Sequence, residues 1–485
     1  MTAESSHFDV LIVGAGLSGV GAAYHLQARC PGKTYAVLEA RATLGGTWDL
    51  FRYPGVRSDS DMYTLGYSFK PWTNPKAIAD GPAILEYIRE TAREHGIDRR
   101  VRYQHRVERV RWSSEAARWQ VEGHDAASGK AFRLTCGFLF LCAGYYEYGA
   151  GYEPAFPGRE RYAGRVVHPQ HWPAELDYEG QRVVVVGSGA TAVTLVPELA
   201  KRAAHVTMLQ RSPTYVMARP SRDAIADWLR ARLPPRAAYA ATRWKNVLLG
   251  MAFFNYCRRL PEHAARHIVN EARKAVGELV DAATHLTPRY APWDQRLCLA
   301  PDGDFFAAVR QGRASIVTDH LDAFTERGLR LRSGKELEAD LVVLATGLQM
   351  KLLGGTEIEV DGRRVDLSKT LTYKGSMFSD VPNLAFAVGY TNASWTLKCD
   401  LTNEYVCRLL RHMDAHGFSR CRPRRGDPSI EGDPIIDFSS TYVQRVLGEL
   451  PRQGPAPPWK LYQNYALDLM LLRHARVDDG AMEFS

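Results

Sequence analysis

Two glycine-rich segments in this 485-residue chain have the residue types and spacing to hold the phosphates of two dinucleotides. The first is Gly14-Ala15-Gly16-Leu17-Ser18-Gly19, and the second is Gly187-Ser188-Gly189-Ala190-Thr191-Ala192. Each follows an apolar, β-branched run and precedes a helix-like stretch, which is the strand, turn and helix context that such a motif requires. Two dinucleotides held face to face would allow electrons to pass from one to the other.

The first segment has the features of a site for FAD or NAD. Gly14 permits a tight turn, Gly16 lets the backbone approach a pyrophosphate, and Gly19 lets the helix pack closely on the strand. Glu39 ends the next predicted strand, about 20 residues beyond Gly19, where a carboxylate can accept hydrogen bonds from ribose hydroxyls and would repel a 2′-phosphate. The alternative is a glycine-rich turn with a surface glutamate.

The second segment differs because an arginine stands where the first has its acid. The strand after the second glycine turn ends in Arg211 and Ser212. A guanidinium can bind a phosphate through two hydrogen bonds, and the serine hydroxyl can add another. This arrangement selects NADP in the same fold, and the alternative is a solvated arginine after a strand. The chain is therefore predicted to bind FAD at the first segment and NADPH at the second.

The composition argues against several classes of protein. A net charge of +8 is modest for this length and fits phosphate-bearing cofactors, and we find no nucleic-acid recognition motif. The eight cysteines form no Cys-x-x-Cys pair and no metal-ligand spacing, so no metal site is expected. Scattered thiols without a signal peptide predict a cytoplasmic location, and no apolar run reaches the ~18–20 residues of a transmembrane helix.

The elements that must position these residues alternate between strand and helix. Residues 8–40 are predicted to form the first βαβ unit, residues 82–95 a helix and residues 101–140 a set of short strands. Residues 222–290 lack this alternation and have helical spacing. The predicted fold class is α/β, with two Rossmann-like dinucleotide-binding domains, for FAD and NADP, and an inserted helical region.

The predicted boundaries divide each dinucleotide-binding domain into two parts of the chain. An Ala-Thr-Gly turn at residues 345–347 ends a predicted buried apolar run. It resembles the turns that flavoproteins with two dinucleotides use where the chain crosses between domains; on its own it indicates only a buried strand and a turn. The parts are residues 1–148 (FAD-binding domain, first part), 149–221 (NADP-binding domain, first part), 222–290 (helical insertion), 291–378 (NADP-binding domain, second part) and 379–485 (FAD-binding domain, second part, and a C-terminal wrap).

Two longer motifs point to a family. One is Gly45-Gly46-x-Trp48-xxxx-Tyr53-Pro54-Gly55-xxx-Asp59, and the other is Tyr162-x-Gly164-xxx-His168-xxx-Trp172-Pro173. With the two glycine segments, they resemble the signatures of the Baeyer–Villiger monooxygenases, which are class B flavoprotein monooxygenases. Tyr162 replaces the more usual phenylalanine, and the resemblance extends over nearly the whole chain.

The resemblance implies FAD and NADPH as cofactors, with O₂ and a small ketone or sulfur compound as substrates. In this family NADPH reduces the flavin, and O₂ adds at the flavin C4a carbon to give a C4a-peroxyflavin. Attack on a ketone then gives an ester or lactone, and thioethers or thioamides would be oxidised at sulfur. The protein must orient the cofactors, exclude water and place a permanent cation near C4a to stabilise the anions that form there.

The same resemblance implies roles for individual residues. Arg296 would be the catalytic cation and Asp59 its carboxylate partner; the alternatives are a surface-loop arginine and an N-cap for a helix beginning near Met62. His168 is expected to link the two domains and not to carry a proton, and Trp395 to lie near the flavin ring. The implied FAD-binding residues are Gly14, Gly16, Ser18, Gly19, Glu39, Thr47, Trp48, Asp49, Leu50, Asp59 and Val107. The implied NADP-binding residues are Arg57, Ser58, Gly187, Ser188, Gly189, Ala190, Thr191, Ala192, Val193, Arg211 and Ser212.

Other functions stay open at this point. An N- or S-hydroxylating flavin monooxygenase would lack Baeyer–Villiger activity, and Arg296 together with the motif at residues 162–173 argues against it. A disulfide-type reductase would need a redox cysteine pair, and a nucleotide-sensing module would not need Arg296. No motif specifies the physiological substrate, its chain length, the regiochemistry or the oligomeric state. Peripheral membrane contact by the helical region is also left open.

Overall fold

Two sheets, each with one glycine-rich turn at the carboxyl end of a strand, organise the fold. The computed structural model describes residues 6–427, 432–436 and 439–485. Both sheets have parallel strands at the glycine turn, with a helix directly after it. The predicted α/β class with two Rossmann-like units is therefore confirmed. Residues 428–431 and 437–438 of the predicted C-terminal wrap lie outside the described residues.

The first sheet has nine strands and carries the first glycine turn. The predicted βαβ unit consists of a strand at His7–Val13, a helix at Leu17–Arg29 and a parallel strand at Tyr35–Leu38. The first of these strands is apolar throughout its second half because that half is buried on both faces. In spatial order the strands are Arg363–Arg364, Glu357–Val360, His105–Ser113, Arg118–Asp125, Ala131–Leu141, His7–Val13, Tyr35–Leu38 and Val101–Arg102, and Leu384–Phe386 pairs with Ala131–Leu141.

The second sheet has five strands, all parallel, and carries the second glycine turn. The helix Ala190–Leu199 follows that turn and packs its apolar residues on the sheet. The strands in spatial order are Ala314–Thr318, His205–Gln210, Arg182–Val186, Leu341–Leu344 and Arg165–Val167.

The remaining elements surround these sheets. The predicted helix at residues 82–95 is Gly81–Glu94, and the side chain of its N-cap Asp80 accepts a hydrogen bond from the Ala83 N–H. The α-helices in chain order are Leu17–Arg29, Thr47–Leu50, Met62–Leu65, Gly81–Glu94, Ala190–Leu199, Ala224–Arg230, Pro235–Arg259, Pro261–Val276, Ala282–His285, Asp304–Arg310, Trp395–His416, Thr441–Gln444 and Tyr465–Leu469, with a π-helical turn at Met470–His474. The 3₁₀ turns are Asp98–Arg100, Arg159–Arg161, Pro169–His171, Gly277–Leu279, Leu352–Gly355, Leu367–Lys369 and Leu447–Glu449. The strands outside the two sheets are Val216–Arg219, Cys298–Pro301, Leu321–Thr325, Gly328–Leu331, Glu336–Glu338, Thr372–Tyr373, Met377–Phe378, Cys421–Pro423, Asp433–Pro434, Arg452–Gln453 and Met482–Phe484.

Residues 222–290 contain helices, and one buried arginine fixes the longest of them to the first sheet's domain. Arg243 Nη1 donates to the carbonyl oxygens of Tyr63 at 2.8 Å and Gly66 at 2.7 Å. Its Nη2 lies 3.3 Å from Oδ2 of the buried Asp400. These bonds tie the helix Pro235–Arg259 to the turn that follows Asp59. The division of the chain into the five domain parts remains a prediction.

Two chain segments cross between the sheets side by side and are hydrogen-bonded to each other. The Glu147 N–H donates to the Gln349 carbonyl at 2.9 Å, and the Tyr152 N–H donates to the Gly347 carbonyl at 3.0 Å. The Lys351 N–H in turn donates to the Tyr145 carbonyl at 2.9 Å. The predicted Ala-Thr-Gly turn thus lies within the paired crossing.

All eight cysteines are free and buried. Among the described residues, no helix combines the length and the apolar character needed to cross a bilayer.

Candidate active site and cofactor cavities

The first glycine turn leaves no room for side chains on two of its three glycines. Gly14 has a φ of +102°, and a Cβ there would lie 2.6 Å from the Cys142 carbonyl oxygen. A Cβ on Gly19 would lie 1.8 Å from the Gly14 carbonyl oxygen. Gly16 is different, because its nearest neighbour would be the Cα of Gly46 at 3.5 Å. Two backbones without side chains therefore lie close together here, which leaves their outer face free for the close approach of a pyrophosphate.

Glu39 is buried beside this turn and is held by the backbone. Its Oε2 accepts a hydrogen bond from the Ala15 N–H at 2.7 Å, and its Oε1 accepts one from the Arg41 N–H at 2.9 Å. Burial raises the pKa of Glu39, and the two N–H donors oppose that rise. The Glu39 carboxylate thus holds the backbone of the glycine turn in place as well as facing the cavity. The sequence motif did not predict this contact with the backbone.

A cleft of about 1570 Å³, with its solvent-open part included, runs from the glycine turn to Arg296; we call it the first cavity. Most of the residues predicted to bind FAD line it, and a long dinucleotide fits its glycine-lined shape. The predicted residues in its wall are Gly14, Gly16, Ser18, Glu39, Thr47, Trp48, Asp59 and Val107. Gly19, Asp49 and Leu50 are outside this lining, and Gly19 instead provides the close contact between helix and strand.

Asp49 lies behind the cavity wall at the centre of a charge cluster. Its carboxylate is 1% exposed and pairs with Arg41 at 2.5 Å, Arg89 at 3.2 Å and Arg52 at 3.3 Å. Although burial alone would raise the pKa of Asp49, the Thr43 hydroxyl and the Arg41 guanidinium lower it. The geometry favours a role in holding the segment 45–50 against the first cavity.

The second glycine turn is closed at its first glycine, as the first turn is, and is more open at its second glycine. A Cβ on Gly187 would lie 2.3 Å from the Ala345 carbonyl oxygen, but one on Gly189 would meet no atom within 4 Å. Ser188 Oγ donates to the Ser212 carbonyl at 3.1 Å. Arg211 is exposed, and within residues 6–427, 432–436 and 439–485 its guanidinium has no hydrogen bond or ion pair. The turn and Arg211 are thus accessible to a phosphate-bearing ligand.

The segment that carries the first long motif packs against the second domain. A Cβ on Gly55 would lie 2.2 Å from the side chain of Glu198, in the helix that follows the second glycine turn. Arg57 pairs with Asp304 and lies 3.5 Å from the Leu299 carbonyl oxygen, whereas the neighbouring Ser58 lines the first cavity. The predicted NADP contacts of Arg57 and Ser58 remain predictions.

Arg296 and Asp59 form an ion pair at the far end of the first cavity. Arg296 Nη1 lies 3.3 Å from Asp59 Oδ2, and each side chain is about one-third exposed. Asp59 is not an N-cap: the helix Met62–Leu65 is capped by Asp61, whose carboxylate accepts a hydrogen bond from the Thr64 N–H. The alternative considered for Asp59 from sequence is therefore wrong, because the cap is two residues later in the chain.

Aromatic residues that the sequence motifs missed surround the guanidinium. Burial alone would lower the pKa of Arg296, but Asp59 and the phenols of Tyr145 and Tyr146 raise it above its ordinary value. The Tyr145 and Tyr146 rings are 4.4 Å apart between centroids, and Tyr145 lies 5.1 Å from the ring of Trp395. The sequence does contain a signal for a functional role of these tyrosines, because they directly follow the turn that ends a buried strand.

Arg296 also borders two further cavities. The second cavity, of about 1360 Å³ with its solvent-open part included, lies between Arg296 and the helix Pro235–Arg259. Its apolar wall includes Met217, Val247, Met251, Phe253, Phe254, Trp293, Leu297 and Leu397. The third cavity, of about 700 Å³ with its solvent-open part included, adjoins Tyr145, Trp395 and Tyr442. Arg296 lines all three cavities.

Trp395 and His168 have defined partners. The Trp395 indole N–H donates to Ser18 Oγ at 2.8 Å, which joins the start of the helix Trp395–His416 to the first glycine turn. His168 Nδ1 accepts from the Gln170 N–H at 3.1 Å, and its Nε2 lies 3.2 Å from the Gly347 carbonyl oxygen. Burial lowers the pKa of His168. Through these two contacts the ring connects the second long motif to the crossing turn.

Comparison with known proteins identifies related flavin monooxygenases. A family model described as flavin-binding monooxygenase-like matches residues 70–228, and one described as an NAD(P)-binding Rossmann-like domain matches residues 12–74. The chain is 52% identical to the FAD-containing monooxygenase EthA of Mycobacterium tuberculosis, over 99% of this chain and 98% of that protein. Among solved structures, a steroid monooxygenase bound to NADP superposes with a TM-score of 0.77 at 22% identity, over 99% of both chains. An ε-caprolactone-bound cyclohexanone monooxygenase superposes with a TM-score of 0.77 at 19% identity, over 99% of this chain and 100% of the other.

Proposed function

The chain belongs to the family of FAD-containing monooxygenases, and on that basis we propose that it oxidises ketones to esters or lactones by the Baeyer–Villiger reaction. It is a flavoprotein monooxygenase with FAD and NADP as cofactors. Oxidation of thioethers or thioamides at sulfur is proposed as a second activity. The lactone bound to the cyclohexanone monooxygenase is a product of the proposed type.

One observation carries the proposal: Arg296 lines the first cavity, which suits FAD, and the second cavity, which is large and mainly apolar. A small ketone in the second cavity would lie next to a guanidinium that does not lose its charge. Asp59 supports this role, because its carboxylate at 3.3 Å orients the guanidinium without burying it.

The cofactors would be held by the two glycine turns. Gly14 and Gly16 would hold the FAD pyrophosphate and Glu39 its ribose, and Arg211 with Ser212 would hold the 2′-phosphate of NADP. When bound, reduced FAD supplies the electrons that activate O₂. Arg296 would stabilise negative charge on oxygen beside the substrate carbonyl. Tyr145 and Trp395 would exclude water from the same position.

The test is to replace Arg296 and to measure product and NADPH consumption separately. Arg296→Ala should lower ester formation from a methyl ketone by about 100-fold or more, because the developing anion loses its counter-charge. NADPH oxidation should continue, with hydrogen peroxide released. Arg296→Lys should recover little, because an ammonium does not reproduce the planar fork.

The matched control is Arg330→Ala, which removes an arginine paired with Asp322 at 2.9 Å and outside the lining of the three cavities. This variant should form ester at the wild-type rate. Wild-type ester formation by Arg296→Ala would overturn the role of Arg296. Oxidation of amines or sulfides by the wild-type enzyme, without ester from any ketone in a panel, would favour the N- or S-hydroxylating alternative.

A further inference from the structure

Exposed apolar side chains are concentrated on the helical segment 222–290. Of the ten large hydrophobic residues exposed in the described parts of the chain, eight lie in this segment. They are Ile225, Trp228, Leu233, Trp244, Leu248, Leu249, Leu260 and Leu279, and the other two are Leu467 and Met470. A cluster of this kind is unusual on a protein surface, because water-exposed apolar area costs free energy unless a partner covers it.

Part of this cluster forms a continuous surface on the helix Pro235–Arg259. Trp244 and Leu248 are one helical turn apart and are 44% and 57% exposed. The Trp244 ring lies 5.6 Å from that of Tyr465, which starts the helix presenting Leu467. We call Trp244, Leu248, Leu249 (58% exposed) and Leu467 the apolar surface.

The charge around the apolar surface is strongly positive. Residues 222–290 contain twelve Lys or Arg and six Asp or Glu, so this segment carries +6 of the +8 net charge of the chain. Arg236 and Arg259, near the two ends of the helix Pro235–Arg259, are exposed and form no ion pair with any described residue. An apolar stretch flanked by cations is typical of helices that lie in the surface of an anionic membrane.

The same helix also lines the second cavity with a face that adjoins the apolar surface, because Met251 lies three positions after Leu248. The cavity wall contains Val247, Met251 and Phe254. These residues lie one position before Leu248 and three and six positions after it. Gly250 both lines the cavity and is exposed, so the cavity reaches the surface beside Leu248 and Leu249. Whatever covers the apolar surface is therefore next to an entrance of the second cavity.

We propose that the apolar surface docks on an anionic phospholipid membrane, with Trp244 and Leu248 inserted at the interface. A second copy of this chain fits less well, because a two-fold contact would bring two segments of +6 charge together. The membrane supplies both an apolar layer for the leucines and phosphate groups for Arg236 and Arg259. Docking is peripheral, because no helix among the described residues is long and apolar enough to cross the bilayer.

The proposal is tested with the FAD-loaded full chain and vesicles, without measuring catalysis. Flotation is compared between vesicles of phosphatidylcholine alone and vesicles that also contain about 30% phosphatidylglycerol. Each comparison is made at low and at high salt. The wild-type protein should float with the anionic vesicles and dissociate at high salt. Trp244→Asn combined with Leu248→Asn should lower the partition coefficient roughly tenfold or more, because two apolar anchors are lost.

The matched control is Leu279→Asn, which removes a leucine that is 71% exposed in the same segment but outside the apolar surface. This variant should bind vesicles as the wild type does. The visible spectrum of FAD and the thermal unfolding of each variant show that it is folded. Three results would overturn the proposal: wild-type protein that never floats, equal binding by the Trp244 and Leu248 double variant, or a wild-type dimer that this double variant converts to monomer.

Discussion

The two glycine turns have the same strand and helix neighbours and are both closed at their first glycine, but they differ in exposure at the positions that follow. The first is enclosed: Glu39 is 6% exposed, its carboxylate accepts two backbone N–H groups, and a Cβ on Gly19 would overlap the Gly14 carbonyl. The second is open: Gly189 has free space around it, Arg211 is exposed, and Ala192 occupies the position that corresponds to Gly19. An enclosed turn suits a cofactor that stays bound, and an open turn suits one that arrives, is oxidised and leaves.

The largest expected effect is the loss of FAD from a variant of the enclosed turn. Gly19→Ala would place a methyl group 1.8 Å from a backbone oxygen that cannot move without opening the turn. The free energy of unfolding should fall by about 3 kcal/mol, at the upper end for overpacking, and the protein should purify without its yellow colour. Absorbance near 450 nm and thermal unfolding measure the two effects.

Gly189→Ala is the control in the open turn, where the new methyl group meets no protein atom within 4 Å. The variant should keep its FAD and lose less than about 1 kcal/mol of stability, while its affinity for NADPH falls. If the two variants lost equal amounts of FAD, the contrast between the turns would be wrong.

The next effect concerns the exposed arginine. Arg211→Ala should weaken NADPH binding by about 1.5–3 kcal/mol, which is roughly 10- to 150-fold, and should leave NADH binding nearly unchanged, because only NADPH has a 2′-phosphate. Initial rates of flavin reduction at varied NADPH and NADH give the two affinities. Arg202→Ala, which removes an exposed arginine paired with Glu179, should change neither. Equal effects of Arg211→Ala on both nucleotides would remove the reason for assigning NADP to the second turn.

The smallest effect sharpens the difference between Glu39 and Arg211. Glu39→Gln should lower the free energy of unfolding by about 1–2 kcal/mol, because an amide has one acceptor oxygen for two backbone donors. Arg211→Ala should change the same quantity by less than about 0.5 kcal/mol, since an exposed, unpaired side chain holds nothing in place. Urea denaturation of the FAD-loaded proteins compares the two. An unchanged stability of Glu39→Gln would mean that Glu39 contacts ligand only.

The parts of the fold that depend on neighbouring residues were predictable from the sequence. The strand His7–Val13 and the helix Leu17–Arg29 follow from an apolar run, three glycines and a helical pattern, all within about two dozen residues. The helical character of residues 222–290 was also evident from its spacing. In each case the signal and the structure it specifies lie close together in the chain.

The parts of the site that depend on tertiary contacts were not predictable in this way. Arg296 and Asp59 are 237 positions apart, and only the resemblance to a family selected them among many charged residues. The burial of Asp49 by three arginines, and the position of Tyr145 beside Arg296, depend on how distant segments meet. The capping role of Asp61 could have been predicted, because the helix begins at the next residue.

The burial of all eight cysteines has a consequence for an enzyme that activates oxygen. Peroxide attacks the thiolate form of cysteine and not the thiol. Cys298 is only two residues from Arg296, yet burial raises its pKa to about 12. Burial also raises the pKa of Cys136, Cys142, Cys257, Cys399 and Cys421. The hydrogen bond between Cys30 and Cys407 raises the pKa of Cys407 and lowers that of Cys30. The chain thus buries all its cysteine side chains in the core and keeps almost all of them as thiols, the form that resists oxidation by peroxide.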